Sequence, residues 1–459
     1  MTIPTYLGLQ TALSGLEAAQ AAIDTAGQNI SNASTPGYTE EQVNLTENGS
    51  LTIPSSTGNN AELGTGVSVE DITRVRDSFL DSQYRSQNSQ TSADNTDVTY
   101  LTQAQSALGE TNSSSGSTSG LSTVLNQFFQ DFDTLSTDPT NQGDMQAVID
   151  DGQSVASSLN TLAGSITGLQ SEVTQQYDTL TNTSTGAVAN DANEIAQLNG
   201  QIAQAQAAGI NDDTLEDQRD NAIDDLSQYS NVYVTTQSNG MVNVSFGNAA
   251  TAAQNGTTDS TPLVDGSTVN LTQNLTDSNL SGSSGTLGAL LGQYDSTTGD
   301  GTLTNYLNSL NGVASSLVST VNNAISTADA AGATAPAFFD PTGTTAATIA
   351  VNSSLSASTT SYTEAEATAV SNLSGGSAQQ SYDSFVTQVG GDVQSAQDAQ
   401  TTAQSVLSAI SNQRQSVSGV SLDEEMTNLV QYQQAYQASA RVMSTIDDTF
   451  DSLLQMVSG

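Results

Sequence analysis

The feature that most limits what this chain can fold into is the apolar seam at each of its ends. Leu9, Leu13, Leu16, Ile23 and Ile30 recur at steps of three and four residues, with Gln20 and Gly27 holding the register. Near the other end Met426, Leu429, Gln433, Tyr436, Ala440, Met443, Ile446, Phe450, Leu453 and Val457 keep the same spacing. Such spacing places apolar side chains on one stripe of a helix, the pattern of helices that pack lengthwise on other helices. Ala12, Ala19 and Ala26 flank the first seam and allow close approach. Neither helix can bury its stripe alone, so the two ends of a 459-residue chain must meet each other or a neighbouring molecule. A chain of this length is expected to form two to four domains.

Between the ends the period changes several times. The first helix must stop near Ser34, because Pro36 disfavours helical geometry at Thr35. Residues 39–72 read as loop and short strand, with alternation at Val67, Val69 and Ile72. A long helical tract runs from about Arg76 to Gln228, interrupted at 111–120 and 138–143. Asn211, Asp212 and Asp213 offer an N-cap and first-turn charge for its last helix, with Leu215, Ala222, Ile223 and Leu226 on the buried face. Val232, Val234, Val242, Val244 and Phe246 then alternate around a Ser238-Asn239-Gly240 turn, a hairpin signal. Helical spacing returns over 287–328, a segment with Pro336, Pro341, Ile349 and Val351 follows as strand or irregular chain, and the final hundred residues read as two helices. The resulting expectation is a mainly α, elongated, multi-domain chain with a β insertion. Its units are 1–75 and 421–459 (terminal helices paired as a coiled-coil-like bundle), 76–230, 287–330 and 376–420 (helical domain), 231–286 (outward β insertion) and 331–375 (β or irregular).

Composition removes most catalytic chemistry. There is no His, Cys, Lys or Trp, and the only cations are Arg74, Arg76, Arg85, Arg219, Arg414 and Arg441. That excludes Ser-His-Asp and Cys-His nucleophiles, Schiff bases, P-loop lysines and His or Cys zinc sites. Only carboxylate chemistry survives, as in a paired-carboxylate glycosidase, and the lack of Trp platforms argues against that. A net charge of -42 repels nucleic acid and anionic membrane surfaces, so neither is expected as a partner. No run approaches the roughly eighteen apolar residues of a membrane span. The first ten residues carry no basic region, which argues against a cleaved secretory signal. The acids Asp212, Asp213, Glu216, Asp217, Asp220, Asp224 and Asp225 lack the loop spacing of an EF-hand and are read as first-turn charge plus pairing with Arg219. No cofactor or metal is expected.

The run from Ser14 to Tyr38, SGLEAAQAAIDTAGQNISNASTPGY, resembles the start of bacterial flagellar rod, hook and hook-associated proteins, whose signature is a helix ending in an N-x-x-T-P-G-Y turn. GTGVSVEDITRVRDSFLDSQYR (64–85), DQRDNAIDDL (217–226) and SGVSLDEEMTNLVQYQQAYQASARVMSTIDDTFDSLL (418–454) resemble the hook-associated members, with hook or distal rod proteins as the alternative. All six Arg lie in or beside these segments. One departure is visible: the family usually carries a basic residue soon after the Pro-Gly-Tyr turn, whereas this chain has Glu40 and Glu41.

The resemblance implies a non-enzymatic structural protein between hook and filament, exported by the type III route and located outside the cell on the flagellum. It implies terminal helices that form a tube with copies of the chain, and contacts with hook protein, a second junction protein and an export chaperone. The assembly residues would be Leu9, Leu13, Leu16, Ile23, Ile30, Pro36, Gly37, Tyr38, Met426, Leu429, Tyr436, Met443, Phe450 and Leu453. The chaperone would cover Leu429, Tyr436, Met443 and Phe450.

Overall fold

A computed structural model of the chain describes residues 3–53, 61–109, 120–255, 261–328 and 335–458. The first helix, α1 (Ile3–Asn32), ends at the expected turn and packs on an antiparallel hairpin of β1 (Glu41–Glu47) and β4 (Val67–Arg74). A smaller hairpin, β2 (Leu51–Ile53) with β3 (Ala61–Leu63), sits within it, so 39–72 is more regular than its composition suggests. The two ends of the chain meet here: α14 (Leu422–Ser458) lies against α1. The pair is antiparallel, since Gly8 approaches Ile446 and Gly15 approaches Ser439.

The chain then enters the helical domain. Asp77 caps α2 (Ser78–Leu108) by accepting from the Phe79 and Leu80 amides, the side-chain cap that a helix start needs. α3 (Leu121–Thr137), α4 (Gln142–Thr181), α5 (Ala187–Ala207) and α6 (Asp213–Leu226) follow. The expected break at 111–120 lies outside the described residues, except for Gly120 at the start of α3. On the return path the helix anticipated over 287–328 is two, α10 (Gly285–Gln293) and α11 (Thr302–Ala328), separated by a turn in which Asp295 accepts from the Thr297 and Thr298 amides. α12 (Glu364–Ser371) starts in a capping box of Thr363 and Glu366. α13 (Ser377–Ser418) runs back along α2.

The β insertion is a four-stranded antiparallel sheet, ordered β5 (Val232–Thr236), β6 (Val242–Phe246), β7 (Val264–Asp265) and β8 (Thr268–Val269). The predicted hairpin turn is present, with Gly240 in the left-handed region that its tight geometry demands. Short helices α7 (Asn248–Gln254), α8 (Leu271–Asn274) and α9 (Asp277–Leu280) complete the insertion. Its inner face is continuous with the helical core: Val244, Phe246 and Val264 join the same buried cluster as Ile223, Leu226 and Leu287. Asn199 of α5, fully buried, fastens the two together by donating to the Val242 and Gly266 carbonyls and accepting from the Val242 amide.

The segment expected as β or irregular, 331–375, is irregular where described and does not extend the sheet; it has one bridge, Phe339 to Val351, outside the named strands. It delivers Phe338 and Phe339 into the helical domain, where they meet Phe128 and Phe132 at centroid distances of 5.3 to 5.8 Å. Five of the chain's nine Phe, with Phe129 against Phe128, gather in this knot. The whole molecule is elongated: its accessible surface is 22973 Å², against about 16,000 Å² for a compact chain of this mass.

Candidate assembly site and the junction behind it

On α1 the stripe that meets α14 consists of small residues. Gly8 and Gly15 come closest, and a Cβ added at either would lie 3.3 Å from Ile446 Cδ1 or 3.1 Å from Ser439 Oγ. Ala12, Ala19, Ala22 and Ala26 continue at the same three- and four-residue steps and are buried. Small residues let the helix axes approach, and the gain is many weak contacts rather than large buried side chains. The predicted seam of Leu9, Leu13, Leu16, Ile23 and Ile30 lies beside this stripe. Leu9, Leu16, Ile23 and Ile30 are half-buried, and Leu13 is 45% exposed.

The α14 seam divides in the same way. Leu429, Tyr436, Met443 and Phe450 are half-buried in the pair, whereas Met426 is 55% exposed and Gln433 also faces outward. Glu425 and Tyr432, absent from the predicted seam, take those places as buried and half-buried residues. The Leu453 side chain lies outside the described residues. Leu422, Val430, Val442, Leu454 and Met456 are exposed as well. Pairing of the ends therefore leaves a substantial apolar surplus on α14.

The Pro36-Gly37-Tyr38 turn faces both solvent and the interior. Pro36 and Gly37 are exposed, and Gly37 has φ +78°, with Asn221 so close that a Cβ would overlap its side chain at 2.0 Å. Only glycine satisfies both conditions. Tyr38 is turned inward: its hydroxyl donates to Asn29 Oδ1 at 2.8 Å, while Asn29 also bonds the Glu41 amide and carbonyl. Thr39 donates from both its amide and hydroxyl to Asp217, binding the turn to α6.

That contact leads into an ion-pair network which joins the terminal unit to the helical domain. α6 presents Glu216, Asp217, Asp220 and Asp224 at helical spacing. Arg74, at the end of β4, reaches Glu216, Asp217 and Asp220 at 2.6 to 2.8 Å. Arg76 pairs with Asp220 and with Asp81 of α2, Arg85 with Asp220 and Asp224, and Arg414 of α13 with Asp81 and Asp224. Arg414 also lies 4.7 Å above the Tyr84 ring. Burial would raise the Asp220 carboxyl, but Arg76, Arg85 and Arg74 outweigh it and hold it at about 2.

Sequence reasoning assigned these acids to Arg219, and that pairing is absent. Arg219 makes no ion pair in the described structure; its Nη1 donates to the Gly240 carbonyl at 2.7 Å and to Asn199 Oδ1 at 3.3 Å. Asp212, not Asn211, caps α6, and Leu215 is only half-buried. The network itself was missed, although the clustering of Arg74, Arg76 and Arg85 within the 64–85 segment was its visible sign.

The two glutamates after the turn lie among like charges. Glu40 is raised by burial and then by Glu425 and Glu424 of α14. Glu41 is pushed up to about 7 by burial and by Asp213 and Asp217, with Arg74 opposing, and Asp213 rises to about 6, mainly through burial. A basic residue at position 40 would be attracted to the acids of α14; Glu40 is repelled by them.

An elongated helical chain whose two ends pair, backed by a charged junction, belongs to the class of flagellar axial proteins: residues 9–39 match the flagella basal body rod protein model and 411–456 match the flagellar basal body rod FlgEFG protein C-terminal model. Residues 101–339, more than half of the chain, match the flagellar hook-associated protein FlgK helical domain, and the chain belongs to that family. Flagellar hook-associated protein 1 of Bacillus subtilis is 29% identical over 98% of both chains. The protein of the same name from Escherichia coli is 30% identical over 54% of this chain and 43% of its own length. A solved structure, the flagellar hook junction protein FlgK from Burkholderia pseudomallei, aligns with 25% identity and a TM-score of 0.42 over 53% of this chain and 43% of that one. No helix among the described residues is long and apolar enough to cross a membrane.

Proposed function

We propose that this chain is the structural adaptor that joins the flagellar hook to the filament, and that it assembles through its terminal helices. The observation that carries the reading is the α1–α14 pair, which leaves apolar side chains in solvent on a chain of the hook-associated family. Contiguous exposed apolar surface marks an interaction face. Leu9, Leu13, Leu16, Ile23 and Ile30 on α1 and Met426, Leu429, Tyr436, Met443, Phe450 and Leu453 on α14 make up the face that meets neighbouring copies. Pro36 and Gly37 lie at its edge, with Tyr38 holding the turn from inside. Hook protein lies on one side and a second junction protein on the other. The protein acts mechanically, without catalysis, outside the cell on the flagellum, after export by the type III route.

Before assembly the same face is an aggregation hazard, and an export chaperone covers it. Because Leu429, Tyr436, Met443 and Phe450 are half-buried by α1, the chaperone takes α14 in place of α1. Changing Leu429 and Tyr436 together to Asp abolishes chaperone capture in a pull-down while the helical domain stays folded; undiminished capture assigns the chaperone to another surface.

The adaptor role itself is tested by electron micrographs of a strain lacking the protein, which should show hooks without filaments. Filaments attached as in the parent strain would overturn it. Hydrolysis of purified cell-wall polymer by the protein would instead favour the carboxylate-enzyme alternative.

A further inference from the structure

Four of the chain's six arginines, Arg74, Arg76, Arg85 and Arg219, line one cavity of about 440 Å³ between α2, α6 and the β5–β6 hairpin. In a chain with only six cations this gathers four of them at one place. Arg74, Arg76 and Arg85 are matched by the carboxylates described above. Arg219 is not, although it is only 5% exposed. Glu216 and Asp220 act on it through space, but neither comes within ion-pair distance, and its Nε has no hydrogen-bond partner. A buried guanidinium without a counter-ion is a costly arrangement, and a planar fork of donors is the side chain best suited to an anion with two adjacent oxygens. The lining also holds Ser82 and Tyr233, whose hydroxyl groups can donate to such a group. Asp81 and Asp220 share the wall, and their oxygens are engaged by Arg76, Arg85, Arg74 and Arg414.

We propose that this cavity is a binding site for a small oxyanion, with the unpaired Arg219 as its principal ligand and the hydroxyls of Ser82 and Tyr233 as further donors. Phosphate and sulfate have the required chemistry, and so does the carboxylate of an acidic side chain from a second copy of the chain. The site is separate from the apolar face of the terminal helices, so it stands or falls independently of the adaptor reading.

The test is isothermal titration of the full chain at pH 7 with sodium sulfate and, separately, sodium phosphate, against sodium chloride of matched ionic strength. Saturable one-to-one binding is expected for both oxyanions and not for chloride. Arg219→Lys keeps the charge but removes Nε and the fork, and should weaken binding about tenfold, with circular dichroism verifying the fold. Arg219→Gln serves if the lysine variant does not fold. No saturable binding by the parent chain, or undiminished binding by the folded variant, would overturn the proposal. Sedimentation with and without saturating sulfate separates the sources. Weakened self-association identifies a neighbour's carboxylate as the occupant, whereas unchanged association identifies the free ion; both support an oxyanion site.

Discussion

The molecule contains two long antiparallel helix pairs, each made from one helix of the N-terminal half and one of the C-terminal half, and they are finished differently. In the α2–α13 pair polar side chains bridge the helices: Gln87 donates to the Ala403 carbonyl, and Gln400 and Gln404 both donate to Asn95. Val406 and Val417 are its exposed large apolar residues on α13. The α1–α14 pair meets along small residues, and α14 carries Leu422, Met426, Val430, Val442, Leu454 and Met456 in solvent. The same architecture is thus closed in one pair and unfinished in the other. Among the described residues α14 carries six exposed large apolar side chains, more than any other element.

The largest expected effect comes from cutting the connection between the two pairs. Asp220→Asn removes the charge on which Arg74, Arg76 and Arg85 converge and should cost about 3–5 kcal/mol, because a buried network then holds one positive charge in excess although each arginine keeps another carboxylate. Urea unfolding followed by circular dichroism measures it, and a loss under about 1 kcal/mol would show that the junction is held by its other contacts. The sign with pH follows from the depressed carboxyl: its contribution is complete above the unfolded value near 3.8 and is lost as pH falls through about 2.

Gly15→Leu should come next. Its side chain enters the gap now occupied by Ser439 and should cost about 1–3 kcal/mol. Amide exchange should show faster opening of α1 and α14 with the α2–α13 pair unchanged; equal loosening of both pairs would mean that they unfold as one unit.

A smaller effect, of opposite sign to that at Asp220, belongs to Glu41 and Asp213. Their raised values mean that the stability they contribute is complete below the unfolded values near 4 and is lost as pH rises through about 6 and 7. Glu41→Gln should flatten exchange of the 38–45 amides between pH 6 and 8, and an unchanged pH slope would assign it to other groups. Least disruptive to the monomer, Met426→Ser with Leu454→Ser should shift stability by no more than about 0.5 kcal/mol. It should still reduce self-association in sedimentation, and unaltered association would remove these residues from the assembly face.

Legibility in the sequence followed the range of the interactions. Helix ends, the Asn239-Gly240 hairpin and the pairing of the chain ends are written in local spacing and turn chemistry, and they appear where expected. The exact seam was not, because Ala and Gly mark closeness without marking direction: the Leu stripe looked like the contact and proved to be its flank. Arg219 was given to the nearest acids along its own helix, whereas Arg74, Arg76, Arg85 and Arg414 reach those acids from other elements. The Phe338–Phe339 insertion was illegible for the same reason, since its partners on α3 lie two hundred residues earlier.

The antiparallel meeting of Gly8 with Ile446 and Gly15 with Ser439 also sets an order of events. These residues come from opposite ends of the chain, so whichever end emerges first from a ribosome or a channel waits for almost the entire polypeptide before its partner exists. Contacts so distant in sequence are slow to close. Folding of the interior shortens the wait by bringing Glu40 and Ser418 within hydrogen-bond distance, 2.9 Å between amide and carbonyl. The terminal helices are then the last pair to zip together and the first to part, which leaves them available for exchange with another molecule until the interior has closed behind them.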